Sequence, residues 1–309
     1  MKKFLVTGGA GFIGSNIVNS LLEQGAKVSV IDNESSDAHE EFFWNKEAQN
    51  YHLDVTDYEK TRELYENTDF VIHTAAEARI QPAIINPLLA VKSNVLGTAT
   101  VLQCSREAKV SRVIYSSSSS GYGKNLTPNS EDQADDCLNP YSVSKIAGEK
   151  LCAMYSELFG LETVVFRYFN VYGKNQPLKG VYAPVIGIFL RQFLSGEPLT
   201  IVGDGTKKRD FTNVEDVVRA NLLACRDELE DYKFGTTINI GTGSNYSINE
   251  IAQMISSHTV YVPDRIGEAK ETKANISKAK KVLGWEPTVH LNDYLKNELI
   301  KINLLAKSK

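Results

Sequence analysis

The sequence predicts an α/β fold, a doubly wound parallel sheet with a smaller, discontinuous α/β unit beside it. Three observations carry this. The first half alternates short β-branched runs with amphipathic stretches, which is the pattern of a parallel sheet wrapped by helices. A glycine-rich turn joins the first such run to the first amphipathic stretch. After Tyr172 the regular alternation stops, and Gly173 to Tyr182 is rich in Gly, Pro, Lys and polar residues.

Strands are expected, in chain order, at Phe4 to Thr7, Lys27 to Ile31, Phe70 to His73, Arg112 to Ser116 and Thr163 to Phe166. The first helix is expected over Ile13 to Gln24, where Ile13, Ile17, Leu21 and Leu22 recur on one face and Gly25 supplies the stop. Arg209 to Ala224 reads as a strand end and then a helix carrying Val214, Val217, Val218 and Leu222 on one side. The chain is therefore expected to enter a second unit after Tyr172 and to cross back. The division this gives is 1–172 with 209–238 for the first unit and 173–208 with 239–309 for the second.

Composition narrows the function classes. A chain of 309 residues with 42% hydrophobic content supports a full core and is long for one minimal module. The formal net charge is −4 and the basic residues are scattered, which argues against a nucleic-acid or anionic-membrane partner. Cys104, Cys137, Cys152 and Cys225 lie far apart with no CxxC pair, as reduced thiols do, so neither a disulfide framework nor a metal site is expected. The apolar run in MKKFLVTGG ends in a glycine turn, too soon for a signal peptide, and no stretch is long enough for a membrane span. The expected location is cytoplasmic.

Thr7 to Ser15 satisfies G-x-G-x-x-G through Gly9, Gly11 and Gly14, between a strand and a helix, as a Rossmann-type dinucleotide site requires. Glycine is needed there because a side chain would keep the backbone from the pyrophosphate, whose charge rests on N–H groups at the helix N-terminus. Asp32 ends the second strand about 20 residues on, where a carboxylate accepts both hydroxyls of the adenosine ribose. It would repel a 2′-phosphate and no arginine stands beside it, so NAD is expected rather than NADP. Asp54-Val55, expected to close the third strand, and His73-Thr74-Ala75-Ala76, closing the fourth, fall where the fold brings them to the cofactor. Asp54 alone also reads as an ordinary turn residue.

Tyr141 and Lys145 are i and i+4 neighbours at the start of a helix expected after Asn139-Pro140. An ammonium near a phenol favours the phenolate and brings a group of ordinary pKa about 10 toward use as a general base. The serine run Ser116 to Ser120 comes after a strand at the carboxyl edge of the sheet, where ligands of open α/β folds bind. One hydroxyl there can orient a substrate oxygen toward the tyrosine, and physics alone does not choose which.

These residues carry a resemblance. Through TGGAGFIGS, HTAAEA, NVLGT, YSSSSSGYG, NPYSVSK, RYFNVYG, GDGTKKRDFTNVEDVVRAN, NIGTG and SKAKKVLGWEP, the chain resembles the extended short-chain dehydrogenase/reductases, in the NAD-dependent sugar epimerase/dehydratase family near UDP-glucose 4-epimerase. The resemblance implies a catalytic set of Ser118, Tyr141 and Lys145. It implies NAD held by Gly8, Gly11, Phe12, Ile13, Gly14, Asp32, Asn33, Asp54, Val55, Thr74, Ala75, Ala76, Asn94, Tyr141, Lys145 and Tyr168. A nucleotide-sugar substrate is implied at Ser118 and Ser119, with Asn170, Arg209 and Arg265 at its diphosphate, Glu268 at its ribose, and Val181, Tyr182 and Val202 in the segments around its base. On the residues alone, Arg209 beside Asp210 reads instead as a surface ion pair.

The two residues after Ser118 carry the implied reaction. Sugar dehydratases of this family have an Asp-Glu pair where Ser119 and Ser120 stand, and UDP-glucuronate decarboxylases have a glutamate at the position of Ser120. A 4-epimerase needs neither. The implied chemistry is removal of the O4 proton by the Tyr141 phenolate, oxidation at C4 and return of hydride to the opposite face. Glu77, Arg79 and Gln81 are placed either to read an unusual sugar or to form a surface salt-bridge cluster. Thr272, where some members carry tyrosine, implies room for a 2-acetamido group. A homodimer is implied through Asn86 to Ala108 and Tyr141 to Leu158. Two other readings stay open: a nucleotide-sugar 4-ketoreductase using the same Tyr and Lys, and a non-catalytic NAD-sensing protein.

Overall fold

The computed structural model describes residues 1–37, 39–178, 183–229 and 231–307. Its centre is a seven-stranded, all-parallel sheet built from β1 (Lys3–Thr7), β2 (Lys27–Asp32), β3 (Gln49–His52), β4 (Phe70–His73), β5 (Arg112–Ser118), β6 (Glu162–Tyr168) and a last strand at Thr237–Ile240. The spatial order is Thr237–Ile240, β6, β5, β4, β1, β2, β3, so the order reverses at β1. In such sheets the crevice at the carboxyl ends beside the reversal is where ligands bind. The register brings those ends level, with Thr7 paired to both Ile31 and His73, and His73 to Tyr115.

Both faces of the sheet are buried, as parallel strands require. One face packs Val6, Val30, Ile72, Ile114 and Phe166 against Ile17 and Leu21 of the first helix (Phe12–Glu23) and against Val217 and Ala220 of the helix Val214–Ala224. The other packs Leu5, Ile31, Val71, Val113 and Val165 against Val101 and Leu102 of Gly97–Glu107 and Cys152 and Tyr155 of Pro140–Phe159. These burial patterns come from the apolar faces read in the sequence. His73 is a satisfied core residue: its ring nitrogens meet Thr7 Oγ1 at 2.7 Å and Thr98 Oγ1 at 3.0 Å.

A separate core joins Ile186, Phe189 and Leu190 to Leu199, Ile201, Ile251, Ile255, Leu291 and Leu295. It is framed by a parallel pair, Leu199–Val202 with Thr259–Val262. The chain crosses back between the two cores through Lys208–Arg209 and Thr212–Asn213 into the helix Val214–Ala224. The sheet strand Thr237–Ile240 runs two residues past the boundary expected at 238. Ala279, Leu283 and Trp285 also pack under the sheet, with the Trp285 indole donating to the Asp216 carbonyl at 2.9 Å.

Several expected strand limits differ by a residue or two, as in β6, which runs from Glu162 to Tyr168, and two of the differences bear on the site. β5 continues to Ser118, so three of the five serines are strand residues, and Ser119–Tyr122 forms a short 3-10 turn. β3 ends at His52, which leaves Asp54-Val55 in the turn beyond it rather than closing the strand. Asp54 caps that turn, accepting from Thr56 N at 2.9 Å and Thr56 Oγ1 at 2.8 Å.

Among the described residues no helix is long and apolar enough to cross a membrane, and no group of His, Cys, Asp and Glu is arranged to hold a metal ion.

Candidate active site

One cavity of about 1030 Å³ runs along the carboxyl edge of the sheet and into the cleft beside the second core. That is at the upper limit for one small ligand, as a site for two would be. Its cofactor-side wall begins with the glycine turn. Gly8 has φ +69°, and a Cβ there would lie 2.6 Å from Ala75 N; a Cβ on Gly14 would lie 2.1 Å from Gly8 O. The turn therefore closes only with glycine, and Ala75 and Ala76 leave the space beside it. No side chain caps the helix that begins at Phe12, so its first N–H groups are left for an anion.

Asp32 lies at the end of β2, buried, and accepts from Ala10 N at 3.0 Å and Glu34 N at 2.9 Å. Burial pushes its carboxyl above the ordinary value, against the pull of those backbone bonds. Asn33 donates to Asp54 at 3.2 Å, so the two form one polar edge. Gly8, Gly11, Phe12, Ile13, Gly14, Asp32, Asn33, Asp54, Val55, Thr74, Ala75, Ala76 and Tyr168 all line the cavity.

Asn94 does not line it. Its side chain is buried, accepting from Glu77 N at 2.8 Å and donating to Glu77 O at 3.0 Å and Ser144 Oγ at 2.8 Å. This amide bonds the protein itself, tying the loop after β4 to the helix that bears Tyr141. Glu77 is likewise absent from the lining, whereas Arg79 and Gln81 are part of it.

Tyr141, Lys145 and Ser118 all line the cavity, with the Tyr141 and Ser118 side chains hydrogen-bonded to each other. The helix Pro140–Phe159 starts where it does because Asn139 caps it, accepting from Ser142 N, while Pro140 fits its first position and Gly160 ends it in the left-handed region. Gly148 lets this helix lie against β5, since a Cβ there would be 2.2 Å from the Tyr115 hydroxyl. That approach puts Tyr141 and Lys145 beside Ser118 at the end of β5. Two turns past Tyr141, Glu149 accepts from Ser117 Oγ at 2.5 Å and pairs with Arg167 at 2.7 Å, fixing the helix to β5 and β6.

The electrostatics depart from expectation. Burial pushes the Tyr141 phenol above its ordinary value, a hydrogen bond with Ser118 pulls it down, and the Glu77 carboxylate adds an upward push. Lys145 is not among the groups that set it. Burial itself brings the Lys145 ammonium down to about 8, against the upward pull of Cys152 and Glu149, and its Nζ lies over the Tyr115 ring, 4.7 Å from the centroid. The expected lowering of the phenol by its lysine is therefore corrected for the protein alone: burial is the largest influence on the phenol, and it raises it.

The substrate-side wall holds Ser118, Ser119, Asn170, Val202, Arg209, Arg265, Glu268 and Thr272. Val181 and Tyr182 lie outside the described residues. Arg209 does not pair with Asp210. Its guanidinium meets Glu268 at 3.4 Å, while Asp210 is buried and accepts from Thr242 N, Gly243 N and Ala274 N. Asn170 has φ +27° and donates to Asp210 O at 2.9 Å and Thr272 Oγ1 at 3.3 Å. The Ser120 hydroxyl is buried without a hydrogen-bond partner.

The model of the NAD dependent epimerase/dehydratase family matches residues 4–241. The chain belongs to this family. It is 35% identical over 301 residues to a putative UDP-glucose 4-epimerase of Methanocaldococcus jannaschii, covering 94% of this chain and 95% of that one. It is 34% identical over 321 residues to a UDP-N-acetyl-alpha-D-glucosaminuronate decarboxylase of Bacillus cytotoxicus, covering 96% and 97%. The solved structure of the UDP-glucose 4-epimerase of Thermotoga maritima with UDP-glucose superposes with a TM-score of 0.90 at 35% identity, covering 98% and 99%.

NAD is the cofactor of this epimerase/dehydratase family, and the glycine cradle, the uncapped helix and Asp32 are a donor set that fits it. Residues of this member that the sequence did not single out also line the cavity, among them His39, Phe42, Ala183, Phe189 and Lys207. Most come from segments without periodic pattern, so their only signal is spatial. Lys207 is two residues from Arg209 and approaches Glu268 at 3.5 Å.

Proposed function

We propose that this chain is a nucleotide-sugar 4-epimerase acting on a UDP-linked hexose, UDP-glucose/galactose or its 2-acetamido counterpart. The observation that carries the proposal is the meeting of Tyr141 and Ser118 at the junction of the two walls, with Ser119 and Ser120 next in the chain. No ionisable side chain occupies those two positions, so neither elimination of water nor loss of a carboxyl group has its acid or base there. One hydroxyl-directed base remains, and C4 inversion needs only that.

In this mechanism Ser118 orients the sugar O4 and Tyr141 takes its proton, returning it to the oxygen in the second half of the reaction. Lys145, one turn along the helix, supplies an ammonium to the same pocket. NAD, when bound at the glycine turn, supplies a positively charged ring and a hydride acceptor that later gives the hydride back. Arg209 and Arg265 hold the diphosphate and Glu268 the ribose. The division of labour proposed is cofactor binding by 1–172 and 209–238, which also lend Ser118, Ser119, Asn170 and Arg209 to the substrate, and nucleotide-sugar binding by 173–208 and 239–309.

The test is to incubate the protein with UDP-glucose and UDP-N-acetylglucosamine without added cofactor and follow the C4 configuration by proton NMR. Inversion of at least one is expected. If neither inverts while reduced cofactor is consumed with a 4-keto sugar, the ketoreductase reading replaces this one.

A homodimer is part of the proposal. Leu88, Leu89, Val91 and Leu96 stand exposed beyond Asn86, as do Val143 and Leu158 on the helix Pro140–Phe159. Clustered exposed apolar side chains of this kind mark an interface. Small-angle scattering is expected to give twice the chain mass of 34.3 kDa, and a monomer at micromolar concentration would exclude it.

A further inference from the structure

The loop that presents Arg265 and Glu268 is held by two amides from the opposite wall. Between those residues lie Ile266 and Gly267, and each of their carbonyls accepts one side-chain hydrogen bond. Gln81 Nε2 donates to Ile266 O at 2.9 Å, and Asn139 Nδ2 donates to Gly267 O at 2.7 Å. Gly267 has φ +77°, and a Cβ there would lie 3.1 Å from Ile84 Cδ1 and 3.3 Å from Asn139 Cβ, so the loop lies close against Asn139 and against the helix that bears Gln81. Lys207, which also lines the cavity, bonds Asp264 and reaches Glu268 at 3.5 Å.

Asn139 does two jobs with one side chain. Its Oδ1 accepts from Ser142 N at 2.8 Å, capping the helix two residues before Tyr141, while its Nδ2 reaches across to the loop. Gln81 stands on the short helix Ile80–Ile85, directly after the loop that lines the cofactor wall. We propose that Asn139 and Gln81 are positioning residues that clamp the 265–268 loop to the base-bearing helix and the cofactor wall, so that the guanidinium and carboxylate for the nucleotide are presented at a set distance from Tyr141. This rests on the nucleotide-sugar reading of the site.

The two halves of Asn139 can be separated. Asn139→Asp keeps the cap acceptor, for which Asp and Asn are equivalent, and replaces the donor to Gly267 with a carboxylate oxygen facing a carbonyl. Wild type is first titrated with UDP by calorimetry. Asn139→Asp is then expected to weaken UDP about tenfold, the size of one lost hydrogen bond plus the facing oxygens. KM for the nucleotide sugar should rise with it, more than kcat falls, and the melting temperature should stay within a few degrees. In an Arg265→Ala/Glu268→Ala background the same change should weaken UDP by less than about twofold, because both groups it positions are gone. Gln81→Met tests the second tie without touching the cap and is expected to weaken UDP in the same direction.

Wild type that binds UDP alongside Asn139→Asp and Gln81→Met variants of equal affinity would overturn the clamp and leave the nucleotide-sugar reading standing. An undiminished loss in the Arg265→Ala/Glu268→Ala background would also overturn it, since the effect would then not pass through the groups the loop presents. Wild type with no affinity for UDP or another nucleoside diphosphate would remove both readings together.

Discussion

Replacing Tyr141 with phenylalanine is expected to lower turnover on the order of 10² to 10⁴-fold, the contribution of a placed general base, while NAD stays bound. The change removes one oxygen from a ring that keeps its place, because the helix Pro140–Phe159 is set by the Asn139 cap, by Gly148 against Tyr115 and by Glu149 on Arg167. None of these involves the phenol. UDP affinity should therefore be unchanged and the loss should fall on kcat. Since burial holds the phenol above its ordinary value and the ionised form is the base, wild-type turnover is expected to climb with pH. The residual rate of Tyr141→Phe should lack that climb. A variant keeping more than about a tenth of wild-type turnover would assign the base elsewhere, because general-base removal costs far more than that.

Replacing Gly14 with alanine is expected to abolish tight NAD binding and to destabilise the protein by roughly 1–3 kcal/mol, the usual cost of overpacking a close-packed site. The added carbon would lie 2.1 Å from Gly8 O and 2.8 Å from both Gly8 C and Gly9 Cα. All three are backbone atoms, so no side chain can swing aside and the turn itself must move. That movement carries the first N–H groups of the helix away from the pyrophosphate they would hold. Gly25→Ala is the control: its Cβ meets nothing within 4 Å, although φ is +77°. It should lose about 1–2 kcal/mol through backbone strain and leave NAD affinity alone. Calorimetric titration and thermal melts of both variants separate the two effects, and Gly14→Ala binding NAD as wild type does would contradict the account of the turn.

The cofactor half was legible because local pattern and chemistry coincide there. The glycines, Asp32 and the small residues after β4 lie at strand ends, and strand ends are what period-two apolar runs announce. Ser118, Tyr141 and Lys145 were legible through motif. Side-chain partners were less legible. The Asn94 amide bonds Glu77 and Ser144, a choice made by residues 17 and 50 positions away. Arg209 beside Asp210 has the look of an ion pair, but successive residues on an extended segment point to opposite sides, so Asp210 turns into the core and Arg209 into the cavity.

What the sequence by itself determined is the order of the elements, the face each one buries and the chemical kinds of group at the strand ends, because these depend on spacing along the chain. What only the tertiary structure decided is which of those groups reach the cavity and how they are charged. The Tyr141 phenol is raised rather than lowered, since burial is the largest influence on it and the Ser118 hydrogen bond only partly offsets that. The loop carrying Arg265 is held by amides 128 and 185 positions distant, and no spacing rule encodes a contact whose existence depends on how two separate cores pack.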